Sequence, residues 1–172
     1  MDLRAVQTGA DDHVLLLEFD MDMGGFASNW AYCDRLSTYF ARMISHNRSD
    51  SLLYSNLFSS ALNELLETVY RLHTPTGSFV CAVSRKGASD RIILTIPADA
   101  QTAGFYRQAV DVLNEGDVAA RYHSALFTEG PLQPNIGLLE LAVDYAARFS
   151  IEPADGDAIR LIAELTLEAT VA

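Results

Sequence analysis

Three acidic side chains and one glycine are the residues of this sequence whose types and positions could support chemistry. Glu64 and Glu67 lie three residues apart in a segment of helical periodicity, so they are neighbours on one helix. Such a carboxylate can act as a general base, or it can belong to a solvated polar face. Asp99 follows a predicted strand and Pro97, where it can cap the next helix. Gly137 stands in the first turn of a predicted helix, where glycine costs about 1 kcal/mol relative to alanine, so a close approach of the backbone is expected there.

The cysteines and histidines offer little for redox or metal chemistry. Cys33 and Cys81 lie far apart and form no CxxC pair, which predicts two buried, reduced thiols in a cytosolic protein. None of the four histidines is at metal-ligand spacing to another, which argues against a zinc site. His46 comes at a predicted helix end, where a solvated C-terminal cation is more common than a phosphoacceptor.

Composition excludes several classes of function. The chain has 172 residues, which suits one domain, and a net charge of −11. The acid excess lies in residues 1–22 and 132–172. An acidic protein without a basic stripe is not expected to bind nucleic acid or an anionic membrane surface. No secretory signal and no membrane-spanning run is present in the sequence, which predicts a cytoplasmic protein.

The first half of the chain is predicted to form a strand, two helices and a hairpin. The strand covers 13–19, and the helices cover 29–46 and 51–73. Both glutamates lie on the second helix, which has the stronger apolar stripe, formed by Leu53, Leu57, Ala61, Leu65 and Val69. Strands at 79–84 and 91–96 follow, joined by a hairpin loop.

The second half is predicted to return to helices and end in two strands. Its elements are a helix at 101–114, a short helix and loop at 115–134, a helix at 135–148 and a strand at 149–152. The last strand alternates, with apolar residues on one face at Ile159, Leu161, Ala163, Leu165 and Leu167. A strand with one buried face and one solvent-exposed face is typical of an antiparallel sheet.

The whole order predicts an α+β two-layer sandwich, in which a mixed, mostly antiparallel sheet is covered on one face by helices. It forms a single domain over residues 1–172. The first strand and the first helix lead into a core at 50–170.

The element order and three short segments resemble the Bergerat ATP-binding fold of gyrase, heat-shock chaperones, histidine kinases and anti-sigma serine kinases. The resemblance covers about residues 50–170. In the N-box helix of that family a Glu acts on water or polarises the nucleophile, and an Asn four residues later coordinates magnesium. The segment 60–70 places Glu64 at the first position and Thr68 at the second. Threonine offers a single hydroxyl, which is a poorer magnesium ligand than an amide oxygen.

The two other family motifs are reduced in this chain. Where the family has Asp-x-Gly-x-Gly, whose Asp holds the adenine amino group, residues 96–101 keep Asp99 and neither glycine. Where the family has Gly-x-Gly-Leu, whose amides meet phosphates, residues 135–139 keep Gly137. The scaffold therefore resembles the family, while all three nucleotide motifs are degenerate.

The resemblance implies a cytosolic signalling regulator, closest to stand-alone anti-sigma or partner-switching serine kinase-like proteins. It would act by binding a protein partner such as a regulator, a phosphatase or an antagonist. Helices 29–46 and 51–73 are the expected dimer or partner surface. ATP and magnesium are the cofactors that the family implies, with Glu64 as the catalytic candidate and Thr68, Asp99 and Gly137 as remnants of the ATP pocket. Enzymatic activity is not favoured.

Three alternatives remain open. The first is an active ATP-dependent serine/threonine protein kinase, in which Glu64 activates the acceptor hydroxyl and Thr68 holds magnesium. The second is a histidine phosphotransfer protein, which needs an exposed His46 or His73 on a helix hairpin that dimerises into a four-helix bundle. The third is an interaction module with no ancestral chemistry.

Overall fold

The computed structural model describes residues 12–72 and 76–168, which form five strands and six helices. In chain order these are β1 (Val14–Asp22), α1 (Met23–Ala27), α2 (Ala31–Ile44), α3 (Ser51–Leu72), β2 (Ser78–Lys86), β3 (Ser89–Pro97), α4 (Ala100–Asn114), α5 (Val118–Phe127), α6 (Ile136–Asp144), β4 (Arg148–Pro153) and β5 (Ala158–Thr166). The predicted order is confirmed for every long element, and the short helix predicted within 115–134 is α5. None of the helices in these ranges is long and apolar enough to cross a membrane.

The five strands form one open sheet in the order β1-β2-β3-β5-β4. All four neighbouring pairs are antiparallel, so the prediction of a mixed sheet is wrong for the described strands. The reason is that two long helices, α2 and α3, connect β1 to β2. Because α2 and α3 run antiparallel to one another, the chain returns to the end of the sheet at which β1 finished. The next strand must then run in the opposite direction.

The helices cover one face of the sheet and form the core with it. From the sheet the core takes the alternating buried residues of the inner strands, including Phe79, Cys81, Val83, Ile92, Leu94, Ile96, Leu161 and Leu165. The alternation predicted for β5 is confirmed, and its second set of side chains faces the uncovered side. From α3 the core takes Ala61, Leu65 and Val69, as predicted. Leu53, predicted in the same stripe, is half-exposed, because the buried side of the first turns of α3 is centred on Tyr54 and Phe58 instead.

A buried ionic network holds the α2–α3 hairpin against the sheet. Asp90 on β3 accepts hydrogen bonds from the Tyr54 hydroxyl at 2.8 Å and from Arg85 Nε at 2.7 Å. Arg48, in the loop between the helices, lies 3.6 Å from Asp90 and pairs with Glu168 at 2.9 Å. Both guanidinium groups lie over the Tyr54 ring. Burial raises the pKa of Asp90 to about 6, whereas the hydrogen bond from Tyr54 and the charge of Arg48 act in the opposite direction.

Several element boundaries differ from those predicted. Strand β1 continues to Asp22, whose side chain accepts a hydrogen bond from the Gly25 amide at 2.7 Å and so starts α1 where a loop was predicted. The β2–β3 hairpin loop is shorter than predicted, because pairing continues to Lys86 and Ser89. Helix α6 ends at Asp144 rather than at residue 148. The predicted end of the second helix near His73 lies outside the described residues.

Candidate functional site

The start of α6 lies directly on the middle of α3. A Cβ built on Gly137 would lie 2.7 Å from Glu64 Oε2, 3.2 Å from the Glu64 carbonyl oxygen and 3.3 Å from Thr68 Oγ1. These distances are shorter than ordinary van der Waals contact, so a larger residue at this crossing would require the Glu64 carboxylate and the backbone of α3 or α6 to shift. The close backbone approach predicted at Gly137 is thereby confirmed. Of the four residues assigned to the ATP site from the sequence, Glu64, Thr68 and Gly137 therefore meet at one point, and Asp99 does not.

Local sequence explains this meeting. Glu64 and Thr68 are four residues apart and therefore share a face of α3. The Thr68 hydroxyl donates a 2.9 Å hydrogen bond to the carbonyl oxygen of Glu64, one turn back along the same helix. On the other side, Ile136, Leu138 and Leu139 are buried and pull the first turn of α6 into the core. Thr68 is fully buried, so its hydroxyl is committed within α3.

Glu64 belongs to a group of carboxyl side chains between α3 and α6. Burial, together with the charges of Glu140 and Glu67, raises its pKa to about 7, and the charge of Arg71 acts in the opposite direction. Burial also raises the pKa of Glu140, whose carboxyl is hydrogen-bonded to Tyr122 of α5. Burial and the neighbouring carboxylates thus both favour the protonated form of Glu64.

Glu67 differs from Glu64, because it is held in a local ion pair. Asn63 Nδ2 donates to Glu67 Oε1 at 2.8 Å, and Arg71 donates to Oε2. Glu67 is buried, so the interpretation of this residue as part of a solvated polar face is wrong. Asn63 and Arg71 thus neutralise and hydrogen-bond the Glu67 carboxylate within α3. The Glu64 carboxylate faces α6 instead.

Asp99 lies at the beginning of α4 and is fully exposed. Its side chain accepts a 2.7 Å hydrogen bond from the Thr102 amide, which confirms the capping interpretation. The hydrogen bonds from Thr102 and Gln101 lower the pKa of Asp99. All of these partners belong to the first turn of α4, and none belongs to the group around Glu64.

The main cavities lie away from the predicted site. One of about 300 Å³ lies between α4 and the segment before α6, and its lining includes Phe105, Ala109 and Pro134. Two others, of about 180 and 350 Å³, lie near the ends of β4 and β5 and beside α4. None of the three is lined by a predicted site residue. Within residues 12–72 and 76–168, no group of three or more histidine, cysteine or acidic side chains is placed to hold a metal ion.

Glu140 and Tyr122 are members of the cluster that sequence reasoning missed. Glu140 had a usable signal, because it lies three residues after Gly137 and so on the same side of α6. Tyr122 had none, since its position depends on how α5 packs against α6.

The two thiols and His46 lie in environments typical of structural rather than reactive residues. Cys33 and Cys81 are free and buried, as predicted. Burial raises the pKa of Cys33 to about 12 and also raises that of Cys81. His46 is exposed just after α2, and its Nδ1 donates to the carbonyl oxygen of Met43 at 2.9 Å. A side chain that donates to one of the last carbonyl oxygens of a helix caps its C-terminus. His73 lies outside the described residues.

The α2–α3 hairpin carries a patch of exposed apolar side chains at its closed end. It consists of Tyr39, Met43, Leu52 and Leu53, which are 61%, 50%, 72% and 49% exposed. We call these four residues the hairpin patch. They lie on both helices predicted as the partner or dimer surface.

Comparison with known protein families, curated proteins and solved structures finds no match to this chain.

Proposed function

We propose that this chain is a cytoplasmic signalling regulator with a degenerate Bergerat-like fold, which acts by binding a protein partner rather than by ATP chemistry. The observation that carries the proposal is the direct packing of α6 on Glu64 at Gly137. In the family that the sequence resembles, the corresponding helix start meets the nucleotide phosphates. Here that position is in contact with α3.

The residues around this contact also disfavour the binding of a nucleotide. Phosphate binding at a helix start needs open backbone amides and positive charge. Residues 136–139 are buried, and the nearby carboxyl groups of Glu64, Glu67 and Glu140 would repel a triphosphate. Arg71 is the cation that acts on Glu64, and it is already paired with Glu67. The Thr68 hydroxyl, which would have to hold magnesium, is hydrogen-bonded inside α3.

Binding of a protein is supported by the surface. Exposed apolar side chains that lie together commonly mark interaction sites, and the hairpin patch has this character. The net charge of −11 favours a basic partner surface. A regulator, a phosphatase or an antagonist protein would meet this description, and a second copy of the chain could use the same patch in a homodimer.

Calorimetric titration with ATP and magnesium tests the proposal. We expect no saturable binding at millimolar nucleotide. Micromolar binding that is lost in Glu64→Ala and kept in Glu115→Ala would contradict it. Glu115 is a suitable control because it is an exposed glutamate at the end of α4, outside the carboxyl cluster.

One observation favours a second candidate function, an active serine/threonine protein kinase. A pKa of about 7 for Glu64 is close to the value that suits a general base at neutral pH. Transfer of labelled phosphate from ATP to serine or threonine of a small protein, abolished by Glu64→Gln, would establish this activity. Labelled phosphate that transfers equally well in the variant would exclude Glu64 as the base.

A further inference from the structure

The two edges of the sheet differ in a way that bears on partner binding. Strand β4 is short, with six residues, and ends at Pro153. These are common means of keeping an edge from pairing. Strand β1 has nine residues and contains no proline, and after a register shift between Leu15 and Leu17 it pairs regularly with β2 from Leu17 to Asp22. Among the described residues no strand pairs with its outer side.

On the uncovered face of the sheet, β1 presents acidic side chains. Glu18 and Asp20 are exposed and lie opposite Ala82 and Val80 of β2, which carry no charge. Neither carboxylate has an ion pair within the described part of the chain. The outer margin of this face is therefore negative and uncompensated.

On the helix-covered face, β1 presents apolar side chains. Leu17, Phe19 and Met21 are only half-buried there. The Phe19 ring stacks on Phe40 of α2, with centroids 4.4 Å apart. Next to Phe40 on the same helix, the Tyr39 ring is mostly exposed. A strand added beside β1 would thus have an apolar helix surface on one side and carboxylates on the other.

We propose that the outer edge of β1 binds an extended segment of a protein partner in which lysine or arginine alternates with apolar residues. Side chains alternate between the two faces of a sheet, so one row of this segment would meet Glu18 and Asp20. The other row would lie against Phe19 and the exposed ring of Tyr39. Main-chain hydrogen bonds supply affinity in this mode, and the alternating side chains supply specificity. The inference rests on the proposed partner-binding function and names the partner's chemistry.

The same charges disfavour a second copy of β1 paired about its centre as the occupant. Antiparallel pairing of two β1 strands about their centre places Glu18 opposite Glu18 of the other copy, with Asp20 close by. Like charges directly opposite one another destabilise a strand pair. Lysine or arginine side chains on an added segment would instead be attracted to Glu18 and Asp20.

Fluorescence anisotropy with a labelled peptide in which lysine alternates with valine tests the inference. We expect saturable binding that weakens about tenfold in the double variant Glu18→Lys/Asp20→Lys, since two exposed ion pairs are lost and replaced by repulsion. Glu152→Lys is the control, because it places one substitution of the same kind on the other edge strand, and the single variant Glu18→Lys is its matched counterpart on β1. Glu152→Lys should leave the affinity unchanged. Thermal unfolding verifies that each variant is folded.

Two further peptides separate strand addition from simple charge attraction. A scrambled peptide of the same composition and a version with a central proline should both bind much more weakly, because neither can form a regular alternating strand. Absence of binding, equal binding of all three peptides, or equal loss in Glu152→Lys would overturn the inference. Those results would leave the proposed function intact, since a partner can still bind the hairpin patch. Saturable ATP binding at Glu64 would overturn the proposed function without altering the peptide result.

Discussion

Replacing Gly137 by alanine tests the α3–α6 contact most sharply. The new methyl carbon would lie 2.7 Å from Glu64 Oε2 and 3.2 Å from the Glu64 carbonyl oxygen. The carboxylate can rotate away, but the carbonyl belongs to the backbone of the central helix and cannot move without displacing α3. The substitution therefore forces α6 outward or strains the crossing.

The magnitude follows from two opposing terms. Overpacking of a closely packed site costs about 1–3 kcal/mol. The higher helix propensity of alanine returns up to about 1 kcal/mol. We therefore expect Gly137→Ala to lower the free energy of unfolding by about 1 kcal/mol. The measurement is urea unfolding followed by circular dichroism.

Gly104→Ala is the matched control. Gly104 lies inside α4, is exposed, and would place its Cβ with no heavy atom within 4 Å. Helix propensity then acts alone, and the variant should be more stable than the parent by about 0.5–1 kcal/mol. If both alanine variants shift the urea midpoint upward, the account of the Gly137 contact is refuted.

A double variant isolates the part that Glu64 contributes. In a Glu64→Ala background the nearest clash, with Oε2, is gone, while the backbone clash remains. Gly137→Ala should therefore cost less in that background, by at least about 0.5 kcal/mol. Strict additivity of the two changes would show that the carboxylate does not meet the start of α6.

Three other properties can be predicted from the described residues. The pKa of Glu64 is about 7 in the folded state and about 4.5 in its ordinary state, so the folded chain binds more protons between these values and its stability falls as pH rises through them. Urea midpoints across this range should show a shallower fall in Glu64→Gln; an identical slope would contradict the assignment. Asp90→Asn should lower the free energy of unfolding by about 3 kcal/mol, because it removes the carboxylate paired with the buried Arg85 guanidinium, whereas Arg48 keeps Glu168. Tyr54→Phe, which removes a hydroxyl that donates to Asp90 and accepts from Arg85, should cost less, about 1–2 kcal/mol, and equal costs would refute the network. Cys33 and Cys81 should not react with a thiol reagent at neutral pH until the chain unfolds, because burial raises the pKa of both thiols and hides them; rapid reaction of the folded chain would contradict this.

Much of the fold could be predicted because local patterns and tertiary packing agree. The alternation of apolar and polar residues in β5 predicted its buried face correctly, because successive side chains of a strand point to opposite faces of the sheet. The spacing of four between Glu64 and Thr68 placed both on one side of α3. The cost of glycine inside a helix pointed to the close approach at Gly137, and the cap position of Asp99 followed from its place after a strand.

The remainder depends on contacts between distant segments. The all-antiparallel sheet follows from the two-helix connection before β2, which requires the path of the chain and not only its elements. The carboxyl cluster exists because α6 brings Glu140 to Glu64 and α5 adds Tyr122. Leu53 fits an apolar stripe of α3 but is half-exposed, because two apolar stripes run along this helix and periodicity does not reveal which one, through Leu53 or through Tyr54 and Phe58, packs on the sheet.

The most direct test of the central claim is a ¹⁵N chemical-shift titration of the full chain with ATP and magnesium. The claim is that the contact of Gly137 with Glu64 and Thr68 occupies the place where a nucleotide would have to bind. We expect the amide signals of Gly137, Glu64 and Thr68 to remain unshifted at millimolar nucleotide. Saturable shifts centred on these three amides, with a micromolar midpoint, would contradict the account.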